Sequence, residues 1–446
     1  TSQASTSETV MTIEKIANRL TSDQKLRELA GAFYTCADTA RAKSADHATE
    51  IMRQGGWKLI HENVYDLSPL KPILSDLIKR CLELVGPDAI SEREVYRLAW
   101  ASVGIASPIP DQVAHFLKEL SSEIRAKVRI LLPCYSVRLE DIREVQIGPV
   151  AVRLTDDVDR DLGPESGVRL TIGQPDGLQI IDGKPFVALT PICWDIELQS
   201  KIGNLEAEAR WHTYVFTSLI RLIGYPQFTG PFSPNLGDVE ATPTEKPRSK
   251  QSSVTIHDTR SSFGGSWVPM HYVVGDGFVE HMKGKSFYSK LSILFNPPSN
   301  SVGERLQRGL GWMARGRISD DDTERLLFFF TAAEALLSDN DKSAPVVQNL
   351  ARRGAVILSN DVTRRSEIAK LIQDLYAMRS DSVHRGTRRV HGYHARQVQN
   401  VVEAIHEAVL DNYDISKPSG DFHASLSRAS FGLPWPEKVD VVTPGS

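Results

Sequence analysis

The sequence predicts an α+β fold, mostly α, in which a C-terminal antiparallel helical bundle is preceded by an N-terminal helical and antiparallel-β module. Three changes of hydrophobic period along the chain predict it. Apolar residues recur at three- and four-residue spacing over about 11–126, as they do on one face of a helix. Over about 127–200 they gather instead in short β-branched runs broken by Gly, Pro and Asp, the pattern of strands and turns. Helical spacing then returns and holds from about 286 to 415.

Residues 1–10, TSQASTSETV, are polar and bland, and are expected to be a disordered or processed end outside the fold. The N-terminal helical region, 11–126, rests on IEKIANRL, LRELAGAFYTCADTA, LKPILSDLIKRCLELV, REVYRLAWASVGI and VAHFLKELSSEIRAKV, separated by the turn signals GG, GPD and SPIPD. In the β-rich region, 127–285, the runs VRILLPCYSV, VQIGPVAVRL, GVRLTIG, LQIIDG and PFVALTPICWDIEL read as antiparallel strands. Cys193 and Trp194 in the last run read as core. A further helix is expected at about 205–223. Residues 224–266 collect Pro, Gly, Ser, Thr and charges, which predicts a long loop too polar to bury a core, and WVPMHYVVG then reads as a returning strand. Five helical segments follow over 286–415: FYSKLSILFN running into ERLQRGLGWMARG, then DTERLLFFFTAAEALLS, APVVQNLARRGAVILS, RRSEIAKLIQDLYAMRSDSV and YHARQVQNVVEAIHEAVLDNY. Ser319 or Asp320 is placed to cap the second and Asn360 or Asp361 the fourth. Their short connections make neighbours antiparallel. The tail, 416–446, reads as irregular, with Phe431, Leu433 and Trp435 packing back onto the body.

Composition narrows the function. With 41% apolar and 24% charged residues the chain is an ordinary globular protein, and a net charge of −4 excludes wholesale electrostatic binding of nucleic acid, leaving only a local patch. No apolar run approaches the roughly 20 residues that span a bilayer, so no membrane partner is expected and the cytoplasm is the expected location. Cys36, Cys81, Cys134 and Cys193 are far apart and none belongs to a CxxC pair, which predicts reduced thiols and no zinc site. Walker A, G-x-S-x-G, HExxH and GxGxxG patterns are all missing, so neither a metal nor a cofactor is expected.

One stretch carries more. In the fourth bundle helix Ile368, Ile372, Leu375, Tyr376, Arg379 and Val383 fall on one stripe, which turns the Arg379 guanidinium towards the bundle. A charge there needs a partner. The apolar helix LLFFFTAAEALL offers a single ionisable residue, Glu334, which should lie near Arg379 or another buried donor. The pair reads equally as a structural ion pair. His384 follows Arg379 by five residues, about 140° around a continuing helix, so the two share no face. Either the helix ends near Gly386 and lets His384 swing back, or a second copy of the chain completes the site. Between 342 and 400 eleven Lys or Arg residues stand against four acids, an excess of seven in a chain that is acidic overall. This is the footprint of a phosphate-bearing partner.

A bundle with "TAAEALL" on its central helix, "LARRGAVIL" on the next and then "LYAMRSDSVHRG" resembles the HEPN superfamily, specifically the Apea-like HEPN domains of bacterial anti-phage defence proteins. The resemblance covers roughly 285–415. It implies a metal-independent endoribonuclease of abortive-infection type, which cuts cellular RNA such as tRNA in a cleft shared by two copies. Carried over, Arg379 and His384 are the catalytic pair, Glu334 and Ser380 support it, and Arg385, Arg388 and Arg389 hold flanking phosphates. Ser380 stands where many active relatives carry Asn, Asp or His. The implied partners are RNA, a second copy or a higher homo-oligomer, and a phage-derived trigger acting through a sensing or regulatory module over 11–285. The rival reading is a non-catalytic HEPN domain that dimerises or binds RNA.

Overall fold

Among the described residues, the helical spacing of the N-terminal region folds as five helices: α1 (Ile13–Ser22), α2 (Gln24–Arg53), α3 (Leu70–Val85), α4 (Glu92–Ala101) and α5 (Ile109–Glu123). The computed structural model describes residues 13–53, 70–86, 89–103, 108–163, 168–173, 178–181, 184–224, 234–246, 253–257, 260–264, 269–339, 345–385 and 390–436. Residues 1–10, Arg388 and Arg389 lie outside the described residues. The chain forms two units, one of residues up to Val128 with Leu198–Glu208, the other of Arg129–Glu197 with everything from Ala209 onward. In the first unit Leu26, Phe33, Tyr34, Leu77, Cys81, Leu98, Phe116 and Leu120 pack into one core, with Phe33 set edge-on to Tyr34 at 5.2 Å. The α4 helix starts where Ser91 and Glu94 cap each other's backbone N–H groups. The expected fifth helix ends sooner than its sequence pattern, because a strand begins at Arg125.

The chain continues into β1 (Arg125–Pro133), whose residues from Arg129 belong to the second unit, then β2 (Val137–Leu139), β3 (Glu144–Ile147) and β4 (Val150–Leu154). After α6 (Thr155–Leu162) come β5 (Arg169–Ile172), β6 (Leu178–Ile181), β7 (Lys184–Leu189), β8 (Ile192–Lys201) and α7 (Leu205–Ile223). One sheet has the order β1-β8-β4-β3, in which β4 runs antiparallel to both β3 and β8. Cys193 and Trp194 are fully buried in it, as the sequence predicts, and the Trp194 indole donates to the Pro243 carbonyl at 2.9 Å. Not every pairing is antiparallel: β5 lies parallel to β7, and β11 (Tyr272–Val274) lies parallel to β2. Turn residues specify how adjacent strands meet, whereas both of these pairs join strands that are not consecutive. The α6 helix also went unread, since its sequence TDDVDRDL buries only Thr155 and Val158.

The expected loop over 224–266 is corrected in two ways. A hairpin of β9 (Ser253–His257) and β10 (Arg260–Gly264) occupies part of it. More important, 234–246 is packed: Pro234, Glu240, Ala241, Pro243 and Thr244 are buried. Polar composition predicts exposure only when the charges lack partners, and Glu240 has them.

Helix α8 (Asp276–Gly284) and a 3-10 segment, Tyr288–Phe295, lead into the bundle. FYSKLSILFN is therefore not an α-helix continuous with the next. The bundle helices are α9 (Val302–Ile318), α10 (Asp322–Leu337), α11 (Val346–Leu358), α12 (Val362–Arg385), α13 (Gly392–Asn412) and α14 (Ser419–Ala429). Asp321, one residue beyond the expected caps, accepts from the Thr323 and Glu324 N–H groups at the start of α10. Asp361 accepts from the Arg364 N–H at the start of α12. The tail is not irregular: α14 buries Phe422, Leu426 and Ala429, and Trp435 packs beside Tyr413, whereas Phe431 and Leu433 stay exposed. The strands from Arg129 onward and the bundle belong to one unit, so the expected boundary at 285–286 falls inside it. No helix among the described residues is long and apolar enough to cross a membrane. Cys81, Cys134 and Cys193 are buried free thiols, and Cys36 is partly covered.

The unit is tied together by charge. Arg317 on α9 is fully buried, with Nε 3.0 Å from the Glu240 carboxylate and Nη1 3.3 Å from Glu403 on α13, while Nη2 donates to Ser218 on α7 at 2.6 Å. The Tyr272 hydroxyl donates to Glu240 at 2.6 Å. Burial, with the Glu240 charge beside it, holds that phenol well above its usual range, so it remains the donor. Arg325 on α10 donates to the Gly237 carbonyl at 2.7 Å and to Gln399 at 3.1 Å, and Gln399 passes a bond to Glu403 at 2.9 Å. Replacing Arg317 by Met leaves the Glu240 carboxylate buried without its cation. The expected loss is about 3–5 kcal/mol in urea unfolding, and a loss below about 1 kcal/mol would mean that the network is not holding the unit.

Two imidazoles are buried neutral in the bundle. His406 on α13 bonds the Val402 carbonyl at 2.8 Å, and His423 on α14 bonds the Leu336 carbonyl at 3.2 Å. Gly309 makes room for the first: a Cβ there would stand 2.2 Å from His406 Nε2. Burial lowers both rings from 6.5 to about 4. An unfolded imidazole takes up a proton near pH 6.5 that the folded one refuses, so stability is complete above that pH and declines as pH falls towards about 4. The slope is about 1.4 kcal/mol per pH unit per histidine. Urea midpoints at pH 7.5 and 5.0 should differ accordingly, and His406→Gln with His423→Asn should flatten the difference; an unchanged pH dependence in that double variant would assign the acid sensitivity elsewhere.

Candidate functional site at the edge of the bundle

The stripe that aims α12 at the bundle buries Ile372 and Leu375 and then weakens: Tyr376 and Arg379 are half-buried and Val383 is exposed. Length explains this. With 24 residues α12 outruns the 13 residues of its antiparallel neighbour α11 by about three turns, so its C-terminal end has no neighbour there to pack on.

Where the overhang begins, three side chains meet, and the stripe with the apolar α10 sequence predicts two of them, Glu334 and Arg379. Tyr376 donates to Glu334 at 3.0 Å, Arg379 Nη2 lies 3.6 Å from the same carboxylate, and Arg379 Nη1 lies 3.5 Å from the Tyr376 oxygen. The guanidinium carbon sits 5.2 Å from the centre of the Tyr376 ring, whose other contact is the edge of Phe330 at 5.1 Å. Burial, then the neighbouring Glu334 charge, raises the Tyr376 phenol above its usual range. Glu334 itself is not enclosed. Its side chain is 26% exposed and that of Arg379 20%, because α10 buries Phe329, Phe330 and Ala333 but turns Leu327, Phe328, Thr331, Glu334 and Ala335 outward. The helix is therefore apolar all round without being buried all round.

The contacts to Arg379 are long for charge-assisted hydrogen bonds, which run about 2.7–2.9 Å. Its Nε makes no hydrogen bond. That atom is buried, so the guanidinium is oriented by Glu334 and the Tyr376 ring while the donors left open are on its Nη groups. Sequence spacing singled out Glu334 and Arg379; the bridging role of Tyr376 was missed, although its place one turn before Arg379 was the available signal.

His384 is not brought to this triad by its own chain. Helix α12 continues through Arg385, so His384 does not swing back, and it remains exposed about 140° around the axis from Arg379. Ser380 is half-buried beside Arg379, and Arg385 is exposed with Nη1 3.6 Å from Asp381. The positive excess around this end is also smaller than the residue count suggests. Arg353 is buried, pairs with Asp339 and donates to the Leu337 carbonyl. Arg365 binds the carbonyls of Ser359 at 2.6 Å and Ala429 at 2.8 Å. Both cations serve the fold. Among the described residues no group of His, Cys, Asp and Glu could hold a metal ion. No family model, curated protein or solved structure matches the chain.

Tyr376→Phe keeps the ring against Phe330 and Arg379 and removes the bond to Glu334 together with the long contact from Arg379 Nη1. It should cost about 1 kcal/mol in chemical denaturation. A cost above about 3 kcal/mol would instead make the hydroxyl a central support of the bundle.

Proposed function

We propose that this protein is a metal-independent endoribonuclease of the HEPN type, whose site is assembled from two copies of the bundle and whose working pair is Arg379 and His384. One observation carries the reading: Arg379 is oriented but not saturated, at the edge of the bundle, and an exposed imidazole stands at the end of the same helix. RNA cleavage without a metal needs a group that titrates near neutrality to move a proton at the 2′-hydroxyl or at the leaving 5′-oxygen. It also needs a fixed cation for the charge that develops on the phosphate. His384 fills the first role and Arg379 the second, with Ser380 beside them and Arg385, Arg388 and Arg389 on flanking phosphates. The products would be a 2′,3′-cyclic phosphate and a 5′-hydroxyl. Because His384 and Arg379 point about 140° apart, the histidine of one copy would serve the arginine of the other. In this reading the site works as a dimer on cellular RNA in anti-phage defence, and the residues before the bundle hold it quiet until a trigger arrives.

A second reading keeps the same residues and drops the chemistry: the contact between Arg379 and Glu334 is a structural ion pair and the bundle only dimerises or binds RNA. One experiment separates the two. Wild type, Arg379→Ala and His384→Ala are incubated with total RNA in EDTA, with folding checked by circular dichroism. The nuclease reading expects cutting by wild type, a fall of about 100-fold or more in both variants, and partial recovery when the two variants are mixed. Cutting that survives in either variant, or that stops with EDTA, removes it.

A further inference from the structure

The exposed face of α9 carries an arrangement that the proposed cleavage site does not use. Arg308, Trp312 and Arg315 fall at i, i+4 and i+7, a cation, an indole and a cation along about 10 Å of one stripe. Arg315 is exposed, and its guanidinium carbon lies within cation–π distance of two rings, 4.8 Å from the centre of Trp312 and 5.1 Å from that of Phe328 on α10. Those rings stack on each other at 5.7 Å with planes 21° apart. Trp211 on α7 stands edge-on behind Trp312 at 5.9 Å, with Tyr214 a further 6.3 Å on. The cluster is built into the packing: Gly311 lies against Trp211 so closely that a Cβ would stand 2.2 Å from its Cζ2. Trp211, Tyr214, Trp312 and Phe328 are all half-buried, so each holds position while presenting some surface to solvent.

The state of Arg315 is the telling feature. Arg308 is paired with Glu304, whereas among the described residues Arg315 has neither a carboxylate partner nor a hydrogen bond from its guanidinium. An exposed cation held beside aromatic rings, with its donors open, suits a nucleotide: a base stacks on the guanidinium or on the rings, and the adjoining phosphate takes the N–H groups. An acidic peptide would use the donors and leave the stacked faces idle.

We propose that Arg315, with Trp312 and Phe328 beneath it, is a stacking platform for unpaired RNA, and that this platform feeds the proposed cleavage site. Delivery to the cleavage site rests on the nuclease reading; the binding does not. Placement supports the link. On α10 Phe328 and Glu334 stand at opposite edges of one outward stripe centred on Thr331, about 9 Å apart along the axis. A strand stacked at Arg315 therefore needs only to cross the outward face of α10 to reach Arg379.

Fluorescence anisotropy with a labelled 12-nucleotide poly(U) strand tests this on the full chain carrying His384→Ala, which prevents the proposed cleavage during titration. Arg315→Gln keeps a polar side chain beside the rings and removes the charge. It should weaken binding about tenfold and lower the slope of log Kd against log salt by about 0.7, the share of one phosphate in a single strand. Trp312→Ala should weaken binding by a similar factor while leaving the slope unchanged, and a melting curve checks that it folds. An RNA duplex should bind more weakly than the single strand. No binding of poly(U), a duplex bound equally well, or an unchanged affinity and slope in Arg315→Gln overturns the platform. Wild type that binds through Arg315 and cuts nothing overturns the nuclease reading alone; cutting by wild type with an unaltered Arg315→Gln slope overturns the platform alone.

Discussion

The contact on which the second unit depends is the burial of the Arg317 guanidinium against Glu240. A cation with no exposed surface is tolerable only if its charge is answered and its donors are used. Here Glu240 answers it from the segment 234–246, Glu403 from α13 and Ser218 from α7. Three stretches far apart in sequence are thereby committed to one point on α9. A hydrophobic core of the same volume could be as stable, since ion pairs in an interior gain little over well-packed apolar groups. What the charge adds is a demand for matching partners: 234–246 cannot slide along the helices without leaving a carboxylate stranded.

That demand settles how the bundle presents its surface. With α7, α9 and α13 joined through Arg317, and α10 fixed to 234–246 through Arg325, little freedom is left in which side of α10 faces inward. Leu326, Phe329, Phe330 and Ala333 go in; Phe328, Thr331 and Glu334 go out. Glu334 then stands at the edge where α12 passes, and orients Arg379 through a long contact that a deeper position would have made either short or intolerable. The other edge holds Phe328 under Arg315. One rotational setting of one helix thus governs both cationic features of the face.

Much of this was legible in the residues, for identifiable reasons. Period alone located α3, α5, α11 and α13, because their apolar stripes follow 3.6-residue spacing closely. The meeting of Glu334 with Arg379 followed from one charge on an apolar helix and another on an apolar stripe. Local signals failed where the cause is distant. The parallel pairs β5–β7 and β2–β11 depend on strands that are not consecutive. The burial of 234–246 depends on Arg317, which itself extends the apolar stripe of Leu306, Leu310 and Met313 by one turn and could have been suspected on that ground. Glu240 had no such mark. The expectation that a stop near Gly386 would free His384 fails because α12 includes both His384 and Arg385.

The arginines show why charge count is a poor guide to function and charge environment a better one. Arg353 and Arg365 contribute to the positive excess of the C-terminal region, yet their donors are taken by carbonyls and a carboxylate of the fold. A saturated guanidinium offers a phosphate no N–H and little residual field. Arg379 and Arg315 differ from them in the same respect. Each lies beside aromatic rings, Tyr376 in one case and Trp312 with Phe328 in the other, and a ring can orient a guanidinium while leaving most of its donors free. Orientation with open donors lowers the entropy lost when a phosphate arrives, which an arginine free in solvent cannot do. By that criterion these are the two described cations on this face that the fold has prepared and left unclaimed.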